Sequence, residues 1–356
     1  MSEAARWELL IKRDDLAVTE VREVEAAELG DGEVELAVER LALTMNNVTY
    51  ARWGDIPPLN FWNAFPSPDP ALGRLPVWGF VRVARSNHPD YSVGDRFFGY
   101  LPSSSHHVVR PSAASRGFVD TTPDRYFAHP WYQTFQPADV RDDHRDDRRT
   151  LLRPIYPASF HVADFLAGKA GDDGLTVIVT SASSKVGIGI AHRLRGNANV
   201  RTIGLTSGSR AEFVAGLGLY DDVAAYDDLP AVPAGPVAVV DLAGDSQVLT
   251  AIHGKFQAGL VHVALLGWTH GAQPPPELTD PTPELFFTPV VEGMTISAEG
   301  EDAFFARYHA AEDEFIDATE SWLTVADDSG PEAVVAVFQS LADGTHAANG
   351  CTVLEP

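Results

Sequence analysis

A short run of small polar residues has the clearest chemical potential in this sequence. Residues 180–185, Thr-Ser-Ala-Ser-Ser-Lys, follow the β-branched stretch 177–179, which predicts a strand buried on both faces of a parallel sheet. From Val186 onward, apolar residues recur at helical spacing. A turn between a strand and a helix presents backbone N–H groups at the positive end of the helix, so an anion such as a diphosphate can bind there.

This turn keeps only part of the glycine pattern of dinucleotide-binding turns. The pattern is Gly-x-Gly-x-x-Gly, and the aligned positions here are Ala182, Ser184 and Gly187. Ser184 offers an N–H and adds a hydroxyl, so two interpretations stay open: a turn that binds a dinucleotide, and a turn that has kept its shape without the ligand. The contacts predicted by the first interpretation are Ser181, Ala182, Ser184, Lys185, Val186 and Gly187.

Amide and phenol side chains are concentrated after the first predicted strands. Residues 32–44 alternate apolar and polar side chains, so we expect Asn46, Asn47 and Tyr50 at the end of an antiparallel strand. A proline-rich, aromatic loop at residues 56–70 follows, which favours the wall of an apolar pocket. The three polar side chains either contact a substrate or pair with buried backbone groups.

The composition limits the partners and the compartment. A chain of 356 residues is long enough for two domains, and a formal net charge of −24 argues against nucleic acid or an anionic membrane as a partner. Cys351 is the single cysteine, which excludes an intramolecular disulfide and a multi-cysteine zinc site. We find no signal core and no window with the roughly 18 apolar residues of a membrane span, so we expect a soluble cytoplasmic protein with a small-molecule substrate.

Alternating strands and helices must hold the polar turn. The apolar strands predicted in the second half of the chain are 175–179, 201–206, 222–226, 237–242, 260–267 and one near Val290. Strands of this kind separated by helices predict a doubly wound parallel sheet. The stretch 331–356 predicts a helix, a loop and a last strand.

Residues 101–150 match no familiar pattern. His106 and His107 are adjacent, so on a strand their side chains would point to opposite faces. The mixed charge run 139–150 predicts a solvated loop, and residues 151–168 predict an apolar helix that leads into a second domain.

Motifs along the chain carry a family resemblance. The residues concerned in the first half are Pro76, Gly79, Val83, Val93, Gly94, Asp95, Arg96, Phe97 and Gly99. With the later β/α alternation, this pattern resembles the medium-chain dehydrogenase/reductase superfamily, and within it the zinc-free quinone-oxidoreductase and enoyl-reductase branch. The segments NNVTYARWGD, PVWGF, LRPIYPASF and SASSKVG are similar to an uncharacterised member family of unknown function.

The resemblance implies an α/β fold of two domains. A GroES-like β-barrel domain would span residues 1–155 and be completed by the C-terminal tail 322–356. A Rossmann-like doubly wound parallel sheet would span residues 156–321 and bind the dinucleotide. The resemblance also implies a homodimer formed through the cofactor domain.

The cofactor implied is NADP(H). Folds specific for NAD place an acidic residue at the end of the second strand. Here the residues that end this strand and follow it, 204–211, contain no acid, and the first acidic residue after the strand is Glu212. Ser207 and Arg210 could hold a 2′-phosphate, and Lys185 could reach it from the turn. The resemblance and the strand ends place further cofactor contacts at Tyr226, Leu242, Gly267 and Trp268.

Zinc is not expected. Zinc-dependent members of the superfamily have a cysteine ligand near residues 45–50, and this chain has none there. The structural four-cysteine lobe of such members is absent as well.

The implied reaction is transfer of a hydride from nicotinamide to the β-carbon of an α,β-unsaturated carbonyl, or to a quinone. Tyr50 occupies the place of a tyrosine in enoyl reductases of this branch, and its phenol could donate to the developing enolate oxygen. Asn46 or Asn47 could bind the carbonyl or the nicotinamide ribose. Arg125 could bind an anionic group of the substrate or form a surface salt bridge.

Two other interpretations were considered. A scaffold that performs cofactor-independent chemistry, or binds a small molecule, is compatible with the altered glycine pattern and stays open. A short-chain dehydrogenase is excluded because that family needs Tyr-x-x-x-Lys downstream, and Ala251 stands four residues before Lys255.

Overall fold

The chain divides into two compact units. The computed structural model describes residues 6–138, 141–231, 235–267 and 277–356. Unit 1 comprises Met1–Pro154 with Leu323–Pro356, and unit 2 comprises Ile155–Trp322. Within the described ranges, none of the helices has the length and apolar character needed to cross a membrane.

The strands are numbered in chain order. They are β1 (Trp7–Lys12), β2 (Asp15–Glu23), β3 (Val34–Ala42), β4 (Leu72–Arg74), β5 (Pro76–Ser86), β6 (Arg96–Pro102), β7 (His106–Val109), β8 (Pro111–Ala113), β9 (Phe118–Asp120), β10 (Thr134–Pro137), β11 (Leu175–Val179), β12 (Val200–Thr206), β13 (Asp222–Ala225), β14 (Val237–Asp241), β15 (Leu260–Leu265), β16 (Glu284–Leu285), β17 (Thr324–Ser329) and β18 (Gly350–Glu355).

The α-helices are numbered in the same way. They are α1 (Met45–Arg52), α2 (Asp143–Leu152), α3 (Tyr156–Lys169), α4 (Lys185–Leu194), α5 (Gly208–Gly216), α6 (Ser246–Phe256), α7 (Thr288–Glu299), α8 (Glu301–Ala318) and α9 (Pro331–Ala342). Two short 3₁₀ turns in unit 1, Phe61–Ala64 and Pro130–Gln133, carry aromatic residues that are described below.

Unit 1 is built on antiparallel sheets. In its described part the larger sheet has the order β17-β18-β3-β5-β6-β10-β9-β8, with β7 also paired to β3, and a smaller sheet has the order β2-β1-β4. The late strand β18 pairs with β3 near the start of the chain, so the C-terminal segment completes this unit. The predicted completion of this part of the fold by the C-terminal tail is confirmed.

Strand β3 buries its polar residues together with its apolar ones. Leu36 and Leu41 enter the core, while Glu35 is also buried and accepts hydrogen bonds from Arg85 at 2.6 and 2.7 Å and contacts Arg6. Burial alone would raise the pKa of Glu35, but Arg85 and Arg6 hold it below its usual range. The alternating pattern of this strand therefore comes from paired charges inside unit 1 rather than from a solvent-facing side.

Gly79 of β5 allows two strands to approach closely. A Cβ at this position would lie 2.4 Å from the carbonyl oxygen of Arg40 on β3, which no side chain can occupy. This contact gives the physical reason for the glycine in the motif that carries the family resemblance.

Three sequence predictions in these regions were wrong. Residues 45–52 form helix α1 rather than a strand end, because the Thr44 side chain accepts from the N–H of Asn46 and Asn47 completes a capping box. The charged run is not a loop: it forms α2 from Asp143, with its acids paired to buried arginines. The sixth strand of unit 2 is β16 rather than a strand near Val290, which lies in α7.

Unit 2 is a doubly wound parallel sheet, as predicted. Its described strands have the order β13-β12-β11-β14-β15-β16, and each neighbouring pair is parallel. Strands β11 and β14 are buried along their whole length, as expected for central strands covered by helices on both faces. The order reverses between β11 and β14, where ligands of such sheets bind beyond the carboxyl ends of the strands.

Candidate functional site

The polar turn of unit 2 leaves β11 and enters α4. Ser184 is the N-cap of α4, with φ −72° and ψ 150°, and its Oγ accepts a hydrogen bond of 3.1 Å from the N–H of Gly187. These angles are open to any residue, so a serine replaces the second glycine of the pattern without backbone strain. Ser181 has a positive φ of 47°, which turns the chain sharply after the strand.

Gly187 lies in tight surroundings that favour a residue without a side chain. A Cβ there would lie 3.1 Å from the carbonyl oxygen of Ser181, 3.1 Å from the hydroxyl of Tyr220 and 3.2 Å from Ser184 Oγ. The third glycine of the pattern is therefore kept because the helix start packs tightly on the turn.

Backbone donors remain available at the turn. In the part of the chain that the structure describes, no protein acceptor takes the N–H of Ser183 or of Val186. The N–H of Ser181, in contrast, donates to the hydroxyl of Tyr226 at 2.7 Å, and that of Ala182 to Leu205 at 3.0 Å. Two N–H groups, the Ser184 hydroxyl and the positive end of α4 together form an environment that suits a phosphate.

The end of β12 lies beside this turn. Thr206 donates to Ser183 Oγ at 3.4 Å, which joins the two segments. The next residues begin α5, where the hydroxyls of Ser207 and Ser209 lie 3.1 Å apart and the N–H of Arg210 donates to the carbonyl of Ser207 at 2.9 Å. Ser207 is exposed and Arg210 half-buried. Ser183 and Ser209 also lie here and were not among the predicted cofactor contacts. Both belong to short runs of polar residues, which is the signal in the sequence that could have identified them.

A buried threonine organises the loop after β14. Thr180 Oγ1 donates to Asp241 Oδ1 at 2.6 Å and accepts from the N–H groups of Leu242 at 2.9 Å and Ala243 at 3.1 Å. We call these four residues the Thr180 clamp. Burial raises the pKa of Asp241, and the hydrogen bonds from Thr180 and the loop N–H groups lower it to a smaller extent.

The clamp also connects to the end of β15. The carbonyl oxygen of Asp241 accepts from the N–H groups of Leu266 at 2.9 Å and Gly267 at 3.2 Å. The predicted contacts Leu242 and Gly267 therefore lie together at the carboxyl edge of the sheet. Trp268 lies outside the described residues.

In unit 1, helix α1 carries Tyr50, whose phenol oxygen accepts two hydrogen bonds and whose O–H can donate one. Tyr50 Oη accepts from Asn46 Nδ2 at 2.7 Å and from Trp78 Nε1 at 3.3 Å, and none of the described residues accepts its proton. The side chain is 4% exposed. Burial raises the pKa of Tyr50 to about 12, with Trp78 and Asn46 opposing the shift, so the phenol stays neutral.

Aromatic side chains surround this phenol. Residues from α1, β5, β6, the two 3₁₀ turns and the position directly after the first turn form what we call the aromatic cluster: Tyr50, Phe61, Phe65, Trp78, Tyr100 and Tyr132. Ring centroids lie 4.6 Å apart for Tyr50 and Phe61, and 5.0 Å apart for Trp78 and Tyr100. Trp78, Tyr100 and Tyr132 were missed from the sequence, although Trp78 and Tyr100 face each other across β5 and β6.

Asn47 points its two polar groups at the protein. Its Oδ1 accepts from the N–H of Thr44 at 2.7 Å, and its Nδ2 donates to the carbonyl of Pro76 at 2.9 Å. The side chain is buried. Asn47 therefore anchors α1 to β5, while Asn46 contacts the phenol of Tyr50.

Arg125 lies in a network of protein groups. Its guanidinium contacts the buried carboxylate of Asp120, lies 3.1 Å from His107 Nε2 and donates to the carbonyl of Val108 at 2.8 Å. Desolvation by burial lowers the pKa of His107 well below its usual value, and Arg125 adds to that effect. Desolvation also lowers the pKa of Arg125, which the Asp120 carboxylate opposes.

No metal cluster is found among the described residues, where no group of three or more His, Cys, Asp or Glu side chains could hold an ion. His106 and His107 are adjacent on β7, and the second is more deeply buried than the first.

The two units together define the fold class as that of the medium-chain dehydrogenases/reductases, as predicted. The chain is similar to CurA from Vibrio vulnificus, solved in complex with NADPH, with a TM-score of 0.64 and 13% identity over 98% of each chain. It is also similar to the yhdH oxidoreductase from Salmonella enterica in complex with NADP, with a TM-score of 0.57 and 16% identity over 99% of each chain. The CurK enoyl reductase gives a TM-score of 0.56 and 13% identity, also over 99% of each chain.

The chain also matches a family model over most of its length. The model is described as Protein of unknown function (DUF2855) and covers residues 41–347, so the chain belongs to that family. A comparison with curated proteins finds no match.

Proposed function

We propose that this protein is an NADPH-dependent, zinc-free oxidoreductase that reduces an activated double bond of an enone or enoyl compound, or a quinone. The observation that carries the proposal is the phenol of Tyr50, buried among aromatic rings, with two donors on its oxygen and no acceptor for its proton among the described residues. A neutral donor of this kind suits a carbonyl oxygen that gains negative charge during reduction. The fold, shared with proteins solved with NADPH and NADP, supports the choice of cofactor.

The residues of unit 2 suit the nucleotide. The N–H groups of Ser183 and Val186, with the Ser184 hydroxyl, would hold the diphosphate at the start of α4. Ser184 Oγ accepts a hydrogen bond from the N–H of Gly187 through one of its lone pairs. Its own O–H can therefore donate to a phosphate oxygen.

A second group of side chains would select NADPH over NADH. Ser207, Ser209 and Arg210 begin α5 at the end of β12, where the 2′-phosphate of NADPH would lie, and Lys185 is the further cation we assign to it. When bound, NADPH supplies the hydride from C4 of its nicotinamide ring.

Tyr50 and Asn46 act on the substrate in this proposal. Tyr50 donates a hydrogen bond to the carbonyl oxygen, and Asn46 keeps the Tyr50 oxygen oriented through its 2.7 Å hydrogen bond. A hydrogen bond that strengthens as the oxygen becomes anionic stabilises the transition state more than the bound substrate. Asn47 fixes the position of α1 and thereby of both residues.

The test is titration of the protein with NADPH and NADH, followed by assays of NADPH consumption with enones and quinones. We expect Arg210→Ala to weaken NADPH binding by about tenfold and NADH binding much less, since a charge-assisted hydrogen bond contributes roughly 1.5–3 kcal/mol. Arg201→Ala is the matched control, because Arg201 lies at the other end of β12 and pairs with Asp222 on the surface. Tyr50→Phe should lower turnover by about a hundredfold at unchanged NADPH affinity.

Cofactor-independent chemistry in the aromatic cluster is the second candidate. The observation that favours it is a hydrogen bond at the start of the turn: the hydroxyl of Tyr226 accepts from the N–H of Ser181 at 2.7 Å. This N–H is therefore already in use and does not point to a bound diphosphate. Absence of binding of either nucleotide would refute the reductase and support this candidate.

A further inference from the structure

Tyr100 contains a buried hydroxyl that makes no hydrogen bond within the described ranges of the chain. Its side chain is 1% exposed, and none of the described residues accepts from or donates to its oxygen. Buried hydroxyls are almost always paired, because the loss of hydrogen bonds to water is otherwise uncompensated. The unpaired state of this group therefore requires an explanation.

The surroundings of Tyr100 are aromatic on several sides. Ring centroids lie 5.0 Å away for Trp78, 5.1 Å for Tyr132, 5.5 Å for Phe65 and 5.6 Å for Tyr50. The indole N–H of Trp78 is directed at Tyr50 rather than at Tyr100, so the nearest polar donor is already in use.

Tyr100 and Tyr50 share their electrostatic environment. Burial raises the pKa of Tyr100 well above its usual value, and a charge on Tyr50 would raise it further. Both phenols therefore stay protonated and act as donors in the same aromatic cluster.

We propose that the Tyr100 hydroxyl is a second hydrogen-bond donor to the substrate, and that the substrate is a planar ring compound of the quinone class with two carbonyl oxygens. This inference rests on the proposed function for the assignment of the aromatic cluster as the substrate site, and it names the substrate class. Flat π-faces pack against the rings of the cluster, and two phenol donors match two oxygen acceptors on one ring. A saturated acyl chain would leave Tyr100 unpaired.

The test uses 1,4-naphthoquinone without nucleotide, with quenching of tryptophan fluorescence as the binding signal and Trp78 as the reporter within the cluster. We expect Tyr100→Phe to weaken binding by about threefold to tenfold, the value of one neutral hydrogen bond. Tyr91→Phe is the matched control: Tyr91 is half-buried in the same unit against Phe118, outside the cluster, and the variant should bind like the wild type.

A stability measurement separates a ligand-binding role from a structural one. Removing a hydroxyl that has no partner in the described part of the protein should leave the midpoint of thermal unfolding unchanged or higher in Tyr100→Phe. A lower midpoint would show that the hydroxyl is paired within the protein and would overturn the inference, as would equal quinone affinity in Tyr100→Phe and the wild type.

Failure of the inference can be told apart from failure of the proposed function. If NADPH binds and 1,4-naphthoquinone does not, the quinone class is wrong and the reductase stands. If the quinone binds through Tyr100 and neither nucleotide binds, the reductase is wrong and the role of Tyr100 stands.

Discussion

Replacement of Thr180 by valine tests the Thr180 clamp most directly. Valine keeps the shape of the side chain and removes an oxygen that makes three hydrogen bonds: to Asp241 Oδ1 and from the N–H groups of Leu242 and Ala243. Asp241 Oδ1 and the N–H of Ala243 keep the 3.2 Å hydrogen bond between them, so neither of these groups is left without a partner. At about 1 kcal/mol net for each of the three hydrogen bonds removed, we expect a loss of about 3 kcal/mol.

The measurement should resolve the two units. A global unfolding signal averages over both, so hydrogen exchange of peptides covering residues 237–245 is the suitable assay, together with urea unfolding of the whole chain. Thr176→Val is the matched control, because Thr176 is 6% exposed on β11, the strand that leads to Thr180, and its hydroxyl makes no hydrogen bond among the described residues. If Thr180→Val and Thr176→Val agree within about 1 kcal/mol, the clamp does not have the energetic role assigned to it.

The same variant should change the dependence of stability on pH. Because burial raises the pKa of Asp241, the folded state binds this proton more tightly than the unfolded state. The contribution of Asp241 to the free energy of unfolding is therefore greatest at low pH. It falls as the pH rises from the ordinary aspartate pKa through the raised pKa. Loss of the Thr180 donor raises that pKa further, so the fall should extend to higher pH in Thr180→Val and disappear in Asp241→Asn.

Two further predictions concern helix α1. Asn47→Ala should destabilise the protein by about 2–4 kcal/mol in urea unfolding, since it removes the partner that Asn47 provides to the N–H of Thr44 and to the carbonyl of Pro76; a loss below about 1 kcal/mol would contradict this account. For Tyr50, whose pKa is raised to about 12, reductase activity measured from neutral to alkaline pH should show no loss from phenol ionisation until that value is approached. An inflection near the ordinary tyrosine pKa that vanishes in Tyr50→Phe would refute the buried environment described for it.

The parallel sheet of unit 2 was predictable because its strands are apolar over their whole length. β11 and β14 are buried at every position, and such unbroken runs separated by helical patterns have few other solutions. The polar turn was located for the same reason, since it lies at the end of the first of these strands.

Helix α2 could not be recognised because its inward face is charged. Asp147 pairs with Arg40 and Asp146 with Arg96, so the buried side shows no apolar periodicity. Whether a charge is solvated or paired inside depends on residues far away in the chain, and single-sequence periodicity contains no information about that. For helix α1, in contrast, the capping box at Thr44 and Asn47 is a local signal that the sequence itself contains.

The aromatic cluster was hidden by sequence separation. Tyr50 and Tyr132 come from segments more than 80 residues apart, and only folding brings their rings within 6.5 Å. One part was accessible: aromatic residues occupy alternate positions in β5 and β6, which predicts a common face once the two strands are paired.

The pairing of β18 with β3 has a consequence for the order of folding. The sheet of unit 1 joins segments that flank the whole of unit 2, whereas the contacts within unit 2 are formed by one continuous stretch, Ile155–Trp322. Closing the unit 1 sheet over an unfolded insertion carries the entropy cost of a long loop, and a folded insertion replaces that flexible loop by a fixed span. We therefore expect unit 2 to fold before the sheet of unit 1 closes.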